Sequence, residues 1–305
     1  MNQIKSAYIY GIPVTQSVDE LAELLIQVPF KEPQPAAKQS CGFIDNPHTG
    51  QLVSPIEGGW VVCMRTDEKI LPASVLNKAV SDKVAEIEKE QDRQVYRKEK
   101  LQIRDDVMLS MLPAAFIKTR YTYAYYHAQE ALLIVGAGAA GAAEEMISLL
   151  REAFGSFKAV PLRIDPLTHE LTERLRSYVS GLNFDLGSFD LGKYLQMTGQ
   201  NDQVLTLKEK ESVGFGLSQV EDALSSGYQV NEISLVGDGC QFKLKSDLSF
   251  KSICFDDPAD PPEFDSVEEH WRNETAIQVL VICQQVKALL ALCGSLFPEP
   301  VKEAA

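Results

Sequence analysis

Several kinds of site chemistry have little to work with in this 305-residue sequence. Its six cysteines, Cys41, Cys63, Cys240, Cys254, Cys283 and Cys293, form no C-x-x-C pair, so the common zinc and dithiol signatures are missing. Their apolar or strand-like surroundings predict reduced, buried thiols. The four histidines, at 48, 127, 169 and 270, stand without metal-ligand spacing, and no metal is expected. No apolar run approaches the roughly 20 residues that cross a bilayer. The opening "MNQIKSAYIYGIPV" lacks a basic segment followed by a long apolar one, so no secretory signal is expected and the reading is a cytoplasmic protein without a membrane partner. Basic charge is scarce: 29 Lys and Arg stand against 43 Asp and Glu, a formal net charge of −14. That average argues against nucleic acid.

The average hides a distribution, and binding depends on where charges sit. Residues 69–120 hold 11 Lys and Arg against 8 Asp and Glu, a local net of +3 that leaves −17 for the rest. With 45% hydrophobic and 24% charged residues, the chain is long and apolar enough to bury a real core.

"SAYIYGIPV" reads as a strand. Ser17 and Glu20 then form a capping box for a helix with Leu21, Leu24, Leu25 and Val28 on one stripe. A Pro/Gly-rich stretch with short strands leads to the strand "GWVVCMRTD". Residues 73–112 contain neither Gly nor Pro; Leu76, Val80, Val84 and Ile87, then Ile103, Val107, Met111 and Leu112, predict two helices forming a protruding hairpin that Pro113 ends. "FIKTRYTYAYYHAQEALLIV" reads as two strands around a turn, "AAEEMISLLREAF" as a helix with Met146, Leu149 and Leu150 inward, and "FKAVPLRI" as another strand. Short helices follow ("THELTERLRSYV", "LSQVEDALSS"), then strands "YQVNEISLV", "CQFKLK" and "FKSICF". The acidic loop "DDPADPPEFDSVEE" precedes a C-terminal helix that is apolar on most sides, hence deeply buried or at a subunit interface.

"LLIVGAGAAGAA" carries Gly136, Gly138 and Gly141 in G-x-G-x-x-G spacing, with Asp165 at the end of the next strand. In a doubly wound sheet this would cradle a dinucleotide and make the protein a flavin- or nicotinamide-dependent oxidoreductase. Pro161 interrupts the strand that would have to be central, and the neighbouring strands read as antiparallel. A close helix–strand turn is therefore the preferred reading, with no cofactor.

Phosphate attachment needs Lys and Arg on one face. Arg97, Lys98, Lys100 and Arg104 lie near the hairpin tip, Lys118 and Arg120 at its base, and Lys208 and Lys210 on one side of a possible strand. No base-reading motif is present, so binding would be non-specific. A protein-binding scaffold using the helical hairpin is a third possibility.

"DEKILPASVLNKAVSDKVAEIEKEQDRQ" and "IRDDVMLSMLPAAF" resemble the RdgC family of recombination-associated proteins. The motif positions are Glu68, Lys69, Ile70, Leu71 and Pro72, then Leu112, Pro113, Ala115 and Phe116; "LLREAFGSFKAVPL" extends the match. The resemblance covers nearly the full chain and is strongest over residues 60–165. It implies an α+β fold with mixed or antiparallel sheets and a ring-shaped homodimer that encloses double-stranded DNA, is nucleoid-associated, restrains RecA-promoted recombination and has no catalytic activity. It implies three parts: a central domain (1–72 with 114–165), a helical finger (73–113) and a base domain (166–305). Phe116 is the implied dimer contact. Ala114 stands where the family can carry Arg, which alters part of that contact, and Thr206 and Glu209 stand where it can be basic, which implies DNA binding weaker or more salt-sensitive than the family's.

Overall fold

The computed structural model describes residues 3–181, 186–208, 217–257 and 264–294. The fold is α+β, built on a large antiparallel sheet of twelve strands. The first half contains β1 (Ser6–Gly11), β2 (Gln39–Ile44), β3 (Val53–Ile56), β4 (Gly59–Ile70), β5 (Phe116–His127), β6 (Leu132–Gly136) and β7 (Val160–Pro161). The second contains β8 (Asp190–Thr198), β9 (Val204–Lys208), β10 (Gln229–Gly237), β11 (Cys240–Lys245) and β12 (Phe250–Phe255). The spatial order is β2-β4-β5-β6-β1-β12-β11-β10-β8-β9, with β3 beside β4 and β7 beside β1. β1 joins the halves, pairing with β6 through Tyr8–Gly11 and with β12 through Ser6 and Ala7.

Strand alternation gives this sheet two different faces. On one, Ala7, Ile9, Val61, Cys63, Ile134, Leu195, Ile233, Phe242 and Phe250 form a single core cluster spanning both halves. It is roofed by α5 (Leu167–Val179), α6 (Leu217–Ser225) and α7 (Val267–Leu292). On the other, Tyr10, Trp60, Val62, Met64, Tyr126, Leu133 and Val135 pack beneath α1 (Val18–Leu25) and α4 (Ala140–Phe154). α1 starts at the capping box: the Glu20 amide donates to Ser17 Oγ, and the Ser17 amide donates to Glu20. Its Leu21 and Leu25 are fully buried.

α7 is the buried C-terminal helix that the sequence predicts. By length and composition it is long and apolar enough to cross a membrane, which corrects the expectation that no such segment exists. Here the helix lies in the core, and two buried glutamines tie it there. The Ile4 amide donates to Gln278 Oε1 at 3.0 Å, and Gln285 Nε2 donates to the Asp238 carbonyl at 2.8 Å.

α2 (Ala73–Gln91) and α3 (Arg97–Met111) pack on each other through Leu76, Val80 and Ile103, a cluster separate from the other two. A 3-10 turn containing Pro113 follows α3.

Two expectations need correction. "FKAVPLRI" is a strand over only Val160–Pro161, antiparallel to β1; Pro161 has no amide to extend the ladder. The six cysteines are free, but only Cys63, Cys240 and Cys283 are buried; Cys254 is exposed, because it alternates outward from Ile253 on β12. The antiparallel reading around the glycine turn holds: β6 runs antiparallel to both β5 and β1, so the turn is not set between parallel strands as a dinucleotide crevice requires.

Candidate nucleic-acid interface

Among the described residues, no helix lies over the second half of the sheet on the face that α1 and α4 cover in the first half. Its outward residues alternate with the core set. In β11, Phe242 and Leu244 point inward and Lys243 and Lys245 outward; in β8, Leu195 and Met197 point inward and Tyr194 outward. Register carries these outward positions into a row. Lys208 of β9 faces Tyr194 of β8, Ser234 of β10 faces Lys243 of β11, Lys243 faces Lys251 of β12, and Lys251 faces Ser6 of β1. From β9 to β12 is four strand spacings, about 19 Å.

Contacts within the row are specific. Lys243 Nζ lies 3.5 Å from the centroid of the Tyr194 ring, and Lys208 Nζ approaches the same ring at 5.8 Å. Lys193, Tyr194, Lys208, Ser234, Lys243 and Cys254 line a cleft of about 380 Å³. Lys251 Nζ donates to the Gly138 carbonyl at 3.1 Å and sits over the Tyr8 ring at 3.9 Å. Burial pushes the Lys251 ammonium below its ordinary value, partly opposed by Asp247 and by Glu232. Burial likewise raises the Tyr194 hydroxyl, helped by Glu232.

The turn "VGAGAAG" thus borders the lysine row. Gly136, Gly138 and Gly141 do not have the positive φ that favours glycine, and a Cβ at Gly138 or Gly141 would meet nothing within 4 Å. Asp165 is exposed beyond β7.

The residues expected to contact DNA fall into three groups. Arg97, Lys100 and Arg104, at i, i+3 and i+7 on α3, line a cleft of about 250 Å³ with Asn77 and Leu101; Arg104 Nη1 donates to Asn77 Oδ1 at 2.7 Å. Lys98 is exposed and does not line that cleft. Lys118 and Arg120 share a face of β5 opposite Glu68 and Thr66. Arg120 is ion-paired with Glu145 at 2.9 Å, so its charge is already largely answered. Lys208 belongs to the sheet row, while Lys210 lies outside the described residues. Phe116, at the start of β5 beside Ile70, is 85% exposed.

Sequence reasoning missed Lys193, Lys243, Lys245 and Lys251. The usable signal was K-x-K in "CQFKLK", two lysines one pleat apart on the side opposite Phe242 and Leu244. No group of three or more His, Cys, Asp or Glu placed to hold a metal occurs among the described residues.

Fold and face together define an α+β protein with a continuous antiparallel sheet, half of one face left open and lined by lysine. Comparison with known proteins is more specific. A family model described as "Putative exonuclease, RdgC" matches residues 3–297, and the chain belongs to the RdgC family. Similar proteins include the recombination-associated protein RdgC of Proteus mirabilis, 31% identical over 260 residues and covering 83% of this chain and 84% of that protein. The protein of the same name from Shewanella frigidimarina is 29% identical over 252 residues, covering 81% of each chain.

Proposed function

We propose that the protein binds double-stranded DNA without sequence preference, as a homodimer closed into a ring, and restrains RecA-dependent recombination rather than catalysing a reaction. The observation that carries this reading is the open lysine row. Like charges directly opposite on neighbouring strands destabilise a sheet, yet Lys243 and Lys251 are so placed. Ring and carbonyl contacts hold each lysine singly, but the mutual repulsion of the pair is relieved only by an anion, which a polyanion would supply. Lysine is a point charge without the planar fork that reads bases, which suits contact with phosphates alone. The relatives' name, recombination-associated protein, supports a reading in which such contacts serve a DNA process.

In this proposal the central (1–72 with 114–165), finger (73–113) and base (166–305) parts form one arm of the ring. Phe116, exposed and apolar, meets a second copy. Such a protein would reside with the nucleoid in the cytoplasm. An oxidoreductase reading finds no support in the family or in the antiparallel setting of the glycine turn.

The test is binding to a nicked circular duplex and to its linear form, each at two salt concentrations. Retention on circles with loss from linear ends is the expected result. Equal retention on both overturns the ring, and no binding at low salt overturns the DNA reading. Incubation of end-labelled duplex with a divalent cation should leave its length unchanged; shortened product would instead support the nuclease activity in the family description.

A further inference from the structure

An acid stands inside the lysine field. Glu232 of β10 lies opposite Lys245 in the β10–β11 ladder and opposite Gln196 in the β10–β8 ladder. Its side chain is 11% exposed, and its two oxygens stand 3.9 Å from Lys243 Nζ and 3.9 Å from Lys245 Nζ. At that length the contacts are ion pairs and not hydrogen bonds. Among the described residues, Asp190 at the start of β8 and Asp247 in the β11–β12 turn also stand at this face, at strand ends and exposed.

We propose that Glu232 is a resident stand-in for a DNA phosphate: it gathers the Lys243 and Lys245 ammoniums on the empty face, and an incoming backbone phosphate competes with it for them. The inference rests on the duplex-binding reading of this face. A charge fixed in the sheet cannot leave when DNA arrives. It therefore remains beneath the phosphate, offsets part of the lysine attraction, and keeps each contact weak. Each ammonium has three donors, so both lysines can turn outward without breaking the fold. Weak contacts suit a protein that must stay on DNA while moving along it, because enclosure and not affinity provides the persistence.

Two opposite roles make opposite predictions. If Glu232 competes with phosphate, Glu232→Gln tightens duplex binding about fivefold and steepens the salt dependence by about one phosphate contact. If it merely positions the lysines, the same change weakens binding. Glu221→Gln, at an exposed position of α6 on the opposite face, removes one negative charge elsewhere and should change affinity less than about twofold. Combining Glu232→Gln with Lys243→Gln and Lys245→Gln should abolish the gain, since the coupled residues are then gone.

The experiment is titration of a linear duplex with the full-length protein and these variants across a salt series, with Glu232→Ala as a second variant should the glutamine fold poorly. A gain specific to Glu232 that depends on the two lysines supports the proposal. Loss or no change for Glu232→Gln, with the lysine pair still weakening binding when removed, overturns it and leaves the DNA reading intact. Unchanged affinity after removing both lysines overturns the reading and the proposal together.

Discussion

The same sheet face is treated in two opposite ways on either side of β1. In the first half, the cross-strand row Val62, Ala124, Val135 and Tyr8 lies under α1 and α4. In the second, the row Lys208, Tyr194, Ser234, Lys243 and Lys251 lies under nothing among the described residues. Both rows obey the same alternation, and both share the apolar core on the reverse side. What differs is connectivity: the loops of the first half include helices that fold back over this face, whereas α5, α6 and α7 all go to the other. Coverage, not strand sequence alone, decides whether an outward position is core or surface. Once uncovered, the row can carry charge.

The largest expected effect breaks the covered half. Leu150 of α4 is fully buried against this face, and Leu150→Ala should destabilise the protein by about 3 kcal/mol through lost transfer energy and a residual cavity. Lys243→Gln in the open half should change stability by less than about 0.5 kcal/mol. Denaturant unfolding of the two variants checks the contrast; equal losses would mean that the lysine row is structural.

Next in size is the functional counterpart. Replacing Lys208, Lys243 and Lys251 by glutamine should weaken duplex binding at least tenfold and lower the salt slope by about 2 to 3, since each phosphate contact contributes about 0.9. Arg120→Gln should do much less, because Glu145 already pairs with Arg120 at 2.9 Å. A salt titration of both variants ranks the two surfaces directly, and a larger loss from Arg120 would move the interface to the first half.

Acid dependence sharpens the comparison at the edge of the covered half. Asp67 is 1% exposed, and its carboxylate is held by Arg65 at 2.7 Å and 2.9 Å and by the Thr119 hydroxyl at 2.8 Å. The hydrogen bond from Arg65 comes first in holding Asp67 below its ordinary 3.8. A depressed folded-state value means stability that is present above the unfolded value and lost as pH falls through the folded one. Asp67→Asn should cost about 2 kcal/mol at neutral pH and flatten the loss between about pH 5 and pH 2. Unfolding curves across that range would show an unaltered acid limb if Asp67 were not responsible.

Much of the first half was legible in sequence because its signals are local. The capping box at Ser17 and Glu20 sets α1, the "HAQEA" turn joins β5 to β6, and Met146, Leu149 and Leu150 mark the buried side of α4. The second half was less legible. β8 escaped notice because Gly192 breaks its apolar pattern; the structure explains that glycine, since a Cβ there would lie 2.4 Å from Ser234 Oγ. The lysine row escaped because it is a property of register across four strand pairs and no single strand displays it. Spacing along the chain also could not distinguish a dinucleotide loop from its imitation, because the distinction lies in which way the neighbouring strands run.

The smallest expected effect tests that imitation. In a phosphate-cradling loop the glycines permit close approach of a ligand to the backbone, and substituting them destroys binding. Here Gly138 and Gly141 lack a positive φ and face open space, so neither is required by backbone geometry. Gly141 lies in the first turn of α4, where alanine loses less conformational entropy on folding. Gly141→Ala should therefore stabilise the protein by up to about 1 kcal/mol, and Gly138→Ala should be close to neutral. Thermal unfolding reads both. Because Gly138 offers its carbonyl to Lys251, and alanine keeps that carbonyl, duplex affinity should also hold in Gly138→Ala. Retained stability with lost DNA binding would instead make the turn itself part of the interface and extend the open half of the face across β1.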